Sequence, residues 1–165
     1  MLNRIDVDAV VRDGGASGRV PEQIHSGVAW WLASCFVVVT RANQLVVAHD
    51  GHEASSEFFD RLCRGAINAR HYACKVYDHG IAKEDELLIA MTALGGVPGM
   101  HVKTDPGDNG AQVVTITLYG KDGKPLTDES GLILIRQMIS EDQVPIPVNE
   151  HARGTIEPYP GVMWR

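Results

Sequence analysis

The chain has 165 residues, 44% of them hydrophobic, and a formal net charge of −6. That is enough chain for one domain with a real core. The acidic balance and the scattered Lys and Arg residues exclude a surface that neutralises a run of phosphates, so nucleic acid and an anionic membrane are both excluded as expected partners. No apolar run approaches the length of a membrane span, and residues 1–20 interleave charges with glycines, unlike a signal peptide. Cys35, Cys63 and Cys74 have no metal-type spacing, and three cysteines do not make a disulfide framework. A cytoplasmic location is the expectation.

Along the chain, a short apolar stretch at Ile5 to Val11 leads into "RDGGASGR", which reads as a loop. Pro21 suits a helix start, and Ile24, Val28, Trp31, Leu32 and Cys35 follow at helical spacing. A turn at Arg41-Ala42-Asn43 precedes a buried strand at Leu45 to Ala48. Ser55 or Ser56 is placed to cap the next helix, whose apolar face is Phe58, Phe59, Leu62, Cys63, Ala66 and Ile67. A strand at Tyr72 to Tyr77 follows, then a helix from Lys83 to Leu94 stopped by Gly95-Gly96. "GMHVKT" and "VVTITLYG" read as two more strands around the turn "DPGDNG". Thr127-Asp128-Glu129-Ser130 opens a last helix that runs through Ser140.

Strands alternating with helices predict a three-layer α/β/α sandwich of about four strands, mainly parallel, with an antiparallel edge hairpin. The domain is expected over residues 1–143, and residues 144–165 form an extended C-terminal tail carrying prolines, Tyr159 and Trp164.

The segment "VVAHDGHEASSEFFDRLCRGAINARHYACKVYDHGIAKEDELLIAM" carries a further signal. It resembles the strand, Asp loop and Ser-Ser helix start of the phosphohexomutases, the phosphomannomutase and phosphoglucomutase family. Asn109-Gly110 and "LYGKDGKPLT" resemble the segment that follows that family's catalytic loop. The resemblance covers residues 5 to 142 and implies the fold of the family's first domain. It also implies an activity, phosphomannomutase or phosphoglucomutase, an intramolecular phosphotransfer. In that family the first domain supplies a phosphorylated serine, and later domains supply the magnesium aspartates, a sugar-reading loop and a phosphate loop. Those later domains have no counterpart in this sequence, so no magnesium ligands and no cofactor are expected here.

The departures from the family pattern matter as much. Its phosphoserine loop reads like "TASHNP" directly after a strand; here Gly99 to Val102 runs into "KTDPGDNG", with neither serine nor histidine. Lys103, Thr104 and Asp105 stand in a degenerate loop, with Thr104 or Asp105 where the nucleophile is expected, so no catalytic residue is expected. The extra residues Ala111 to Thr117 imply a loop rebuilt as a β-hairpin. Near the N-terminus, Ser17-Gly18 stands where the family keeps an arginine before glycine. Asp50, Ser55 and Ser56 match, but His52 takes the place of an arginine that orders the catalytic loop. Histidine lacks the permanently charged fork of arginine and is mostly neutral at pH 7.

Each feature also has a plainer reading. His49 and His52 beside Asp50 and Glu53 are solvated loop residues more readily than metal ligands, and no metal is expected. "GGASG" is a loop more readily than an anion cradle. Ser17, His49, Asp50 and His52 remain the candidate binding residues for a sugar phosphate. Trp30 and Trp31 point about 100° apart on one helix and resist burial in a single stripe. With Phe36 they are the candidate interface for a second copy or another protein. Two function classes follow: a catalytically silent binding module in carbohydrate metabolism, or one part of a phosphomutase completed by another chain.

Overall fold

A computed structural model of the chain describes residues 5–69 and 74–160. Tyr72, at the expected start of a strand, and Trp164 in the tail lie outside the described residues.

A short helix α1 (Val7–Val10) leads into strands β1 (Val11–Arg12) and β2 (Gly15–Val20). Helix α2 (Ser26–Thr40), strand β3 (Gln44–His49), helix α3 (Glu53–Ile67) and strand β4 (Lys75–Ile81) form the first crossover unit. Helix α4 (Glu84–Ala93), strands β5 (Gly99–Pro106) and β6 (Gln112–Tyr119), helix α5 (Ile133–Ser140) and strand β7 (Thr155–Pro158) complete the chain. The seven strands form one sheet in the order β1-β2-β6-β5-β3-β4-β7. The pairs β5–β3, β3–β4 and β4–β7 are parallel, and β1–β2, β2–β6 and β6–β5 are antiparallel.

The core explains the run "LVVA". Leu45 and Val47 join the large cluster beneath α2, α3 and α5, whereas Val46 and Ala48 join the smaller one beneath α4. A strand covered on both faces has no polar side to show, so its sequence is continuously apolar. The expected α/β/α sandwich with its antiparallel edge is the architecture observed.

The strand number is larger than expected, for two reasons. The glycine-rich segment read as a loop is β2, joined to β1 by a turn in which Asp13 and Gly14 have φ of 55° and 89°. Two positive φ values make the tight hairpin turn that matches strand twist. Gly15 is required because a Cβ there would lie 1.9 Å from the Ile116 carbonyl oxygen. The "GGASG" amides therefore serve the ladder to β6 and do not form an anion cradle. The tail supplies the seventh strand, β7.

Two helix starts are corrected as well. Pro21 sits in a turn, and α2 begins only at Ser26 after His25. The cap of α3 is neither Ser55 nor Ser56 but His52, whose Nδ1 accepts the Ala54 N–H at 3.1 Å. Ser55 lies inside the first turn and is fully buried.

Candidate functional site

At the C-terminal end of β3 its ladder with β5 stops at His49 and Val102. Asp50 extends it by one rung with its own atoms. Its N–H donates to the Val102 carbonyl at 3.2 Å, and its Oδ2 accepts the Thr104 N–H at 2.8 Å. The other oxygen, Oδ1, accepts the His52 N–H at 3.0 Å, closing the turn into α3. Gly51 supplies the φ of +88° that this turn requires. Desolvation pushes the Asp50 carboxyl up, but the Thr104 N–H, the Ser55 hydroxyl and the His52 N–H outweigh it and hold it below the ordinary aspartate range.

Thr104 is fixed from both ends. Its amide is held by Asp50, and its hydroxyl hydrogen-bonds the buried Ser55 hydroxyl at 2.6 Å. Thr104 also lies in strand register with Val114 of β6. Strand alternation turns Lys103 and Asp105 to the opposite face from Thr104, where they form a solvated 3.9 Å ion pair. The three residues of the degenerate loop thus do not converge on a common point. The β5–β6 hairpin, closed by a 3-10 turn at Asp108–Gly110, occupies their place.

The two histidines have structural partners. His49 is buried, its Nδ1 accepts the Gly51 N–H at 3.1 Å, and its ring lies 4.6 Å from that of Phe59. Desolvation lowers its pKa, against the raising influence of Asp78 and Asp50. His52 spends its Nδ1 on the α3 cap. Among the described residues no three His, Cys, Asp or Glu side chains are grouped to hold a metal ion.

Ser17 is exposed on β2, opposite Thr115, which is itself opposite Lys103. It belongs to an open polar strip of the sheet rather than to the Asp50 turn. Trp30 and Trp31 differ in their surroundings: the Trp30 backbone meets α3 at Gly65, and half-buried Trp31 takes the His25 ring edge-on at 5.2 Å. Trp30 is likewise only partly buried. Phe36 is fully buried in the core, so it is removed from the candidate interface. It sits on the stripe of α2 that packs inward with Leu32 and Cys35. All three cysteines are buried thiols, and burial pushes the Cys35 thiol up to about 12.

The sequence profile described as phosphoglucomutase/phosphomannomutase, alpha/beta/alpha domain I, matches residues 9–145. The chain belongs to this family. Two solved structures share the fold. One is a phosphoglucomutase/phosphomannomutase family protein from Burkholderia thailandensis, with a TM-score of 0.72 and 17% identity over 94% of this chain. The other is a putative phosphomannomutase from Thermus thermophilus, with a TM-score of 0.64 and 17% identity over 91%. The chain spans 34% and 33% of their respective lengths, so the likeness is to one domain of each. No curated protein sequence matches the chain.

Two side-chain contacts escape sequence reasoning. Ser55 is matched by pattern as a cap, yet its role is to hold Thr104 across 49 residues of sequence. Tyr119 donates to Glu84 at the start of α4 and so ties that helix to β6. Burial and the Glu84 carboxylate both push the Tyr119 hydroxyl up. Only the conjunction of a buried serine and a strand threonine signals the first, and nothing local signals the second.

Proposed function

We propose that this protein is a catalytically silent first-domain module of the phosphohexomutase family, acting in the cytoplasm in carbohydrate metabolism by binding a protein or a sugar phosphate. The observation that carries this reading is the engagement of Thr104. A phosphoryl acceptor must be presented on an open loop, whereas this hydroxyl is paired with Ser55 and its amide with Asp50. Loss of a nucleophile costs a factor of about 10⁴ or more in turnover. Among the described residues no three His, Cys, Asp or Glu side chains are grouped to hold the magnesium that the family uses.

Residues 1–143 are the working domain in this reading, and 144–165 are its tail. A partner, either a second copy or another protein, would dock on the α2 flank beside Trp30 and Trp31. A sugar phosphate would meet the turn of His49, Asp50 and His52, with Ser17 on the neighbouring strip.

A second reading is favoured by one observation, that the structural neighbours are about three times as long. In it the chain is one part of a phosphomannomutase or phosphoglucomutase completed by another chain. One experiment separates the two. The protein is incubated with a hexose 1,6-bisphosphate and Mg²⁺, and its intact mass is measured. No added phosphoryl group is expected; a phosphoryl group mapped to Thr104, and lost in Thr104→Ala, would establish the second reading.

A further inference from the structure

Strand β7 lies beyond the stretch matched by the family, residues 9–145, yet it completes the sheet beside β4. The tail is seated by backbone bonds, with buried Ala152 and the Tyr159 ring packed beside them. Val148 N–H donates to the Asn68 carbonyl at 3.1 Å and Gly154 N–H to the Ile67 carbonyl at 2.8 Å. Thr155 N–H donates to the Cys74 carbonyl at 3.1 Å and Tyr159 N–H to the Asp78 carbonyl at 3.0 Å. The four rungs from Lys75–Thr155 to Asp78–Pro158 are parallel.

Two side-chain features give this seat its selectivity. A Cβ at residue 154 would lie 1.9 Å from the Cys74 carbonyl oxygen, so only glycine passes there. Five residues on, the Tyr159 ring stacks on His79 at 5.1 Å and meets Tyr77 edge-on at 6.3 Å. Other features make the seat reversible. Thr155, Ile156 and Pro158 are exposed, and the Lys75–Glu157 ion pair, at 3.6 Å, is half-solvated and therefore weak. The His79 Nδ1 under the tail is buried with no hydrogen-bond partner, a cost that water would relieve if the tail left. Residues 141–154, which join α5 to β7, contain neither helix nor strand, with Ile146 at 86% exposure.

We propose that the outer edge of β4 is a strand-accepting groove, filled by the chain's own residues 154–159 and open to the same segment of a second copy. The second copy is the occupant because its segment brings the glycine and the tyrosine at the required spacing and reproduces every contact. Exchange keeps the β4 edge paired in both chains, so no ladder to β4 is lost when the segments swap. A tail attached through a connection without helix or strand acts at an effective concentration on the order of 1 mM, so one chain closes on itself when dilute and exchanges when concentrated. This inference is independent of catalytic silence.

The test uses the full chain and a fluorescent peptide of residues 148–160. In Gly154→Val the chain's own tail is excluded and the groove is free, so the peptide is expected to bind at least about tenfold more tightly than to the wild type. The peptide bearing Gly154→Val, and a scrambled peptide, are expected not to bind. A full-length Tyr159→Ala chain, which leaves the backbone seat intact, is expected to shift affinity in the same direction by less. It keeps the test valid if Gly154→Val fails to fold. Sedimentation of the wild type at a concentration on the order of 1 mM should show reversible dimer. Equal peptide affinity for wild type and both variants, binding of the scrambled peptide, or a strict monomer at that concentration would overturn the proposal.

Discussion

Residues 49–55 and residues 103–113 meet at the C-terminal end of the sheet, and they keep very different shares of the family pattern. The first segment keeps the aspartate and a serine, Asp50 and Ser55, and it folds as a tight turn into α3 with both engaged. The second lacks serine and histidine and has become a two-stranded ladder from Lys103–Thr115 to Pro106–Gln112. The contrast shows what the aspartate does in this chain. Between the two segments Asp50 acts as a strand residue made of side chain, accepting the Thr104 amide where β3 has ended. A turn of this kind persists because it holds structure together, whether or not chemistry remains nearby.

That contrast breaks first at Asp50. Replacing it with alanine orphans the Thr104 and His52 amides together, and charged acceptors contribute about 1.5–3 kcal/mol, so a loss of about 2 kcal/mol is expected. The melting temperature should fall by about 4–8 °C. A shift below about 1 °C would mean that the rung is not formed in solution.

A smaller effect sharpens the hydroxyl pair. Thr104→Val keeps the shape of the strand but takes one of the two partners, the Thr104 hydroxyl, from the buried Ser55 hydroxyl, an expected loss of about 1 kcal/mol. Ser55→Ala should cost a similar amount. The double variant should cost clearly less than the sum, and strict additivity in urea melts would show that the two hydroxyls do not pair. Smaller still is His52→Ala, which removes the α3 cap at an expected cost of up to about 1 kcal/mol. His52→Asn should restore part of it, because asparagine also caps.

Acid separates the two neighbours in the turn. The pKa of His49 is depressed in the fold, so its stabilisation is complete above the ordinary value of 6.5 and is lost as pH falls below that value toward the folded one. Asp50 is also depressed, so its contribution is present above 3.8 and disappears only at lower pH. Urea midpoints should therefore decline between about pH 7.5 and 5 in the wild type and stay flatter in His49→Gln. Parallel curves for the two proteins would remove His49 as the source of the acid sensitivity.

How much of this is legible in the sequence depends on whether a feature is local. "LVVA" and the spacing of Phe58, Leu62 and Ala66 give β3 and α3 directly, because burial on two faces and on one stripe leave different periods. The segment "RDGGASGR" misleads because glycine is read as loop, although Asp13-Gly14 is a hairpin-turn dipeptide and Gly15 is needed for close approach to β6. Strand β7 is hidden because its short run lies beside prolines and its pairing partner, Lys75 to Asp78, stands far earlier in the chain. Helical angle separates Trp31 from Phe36, since Phe36 follows the Leu32 stripe inward. The Ser55–Thr104 bond spans 49 residues and cannot be read from either neighbourhood alone.

The most direct measurement is native-state hydrogen exchange at the Thr104 amide. The Thr104 amide is a closed rung between Asp50 and β5. Thr104 is expected to exchange as slowly as Val102 and far more slowly than Gly107 to Gly110. Asp50→Ala should speed it at least about tenfold, as a bond of about 1.4 kcal/mol or more requires. A Thr104 amide that exchanges as fast as the hairpin tip in the wild type, unchanged by Asp50→Ala, would contradict the closed rung.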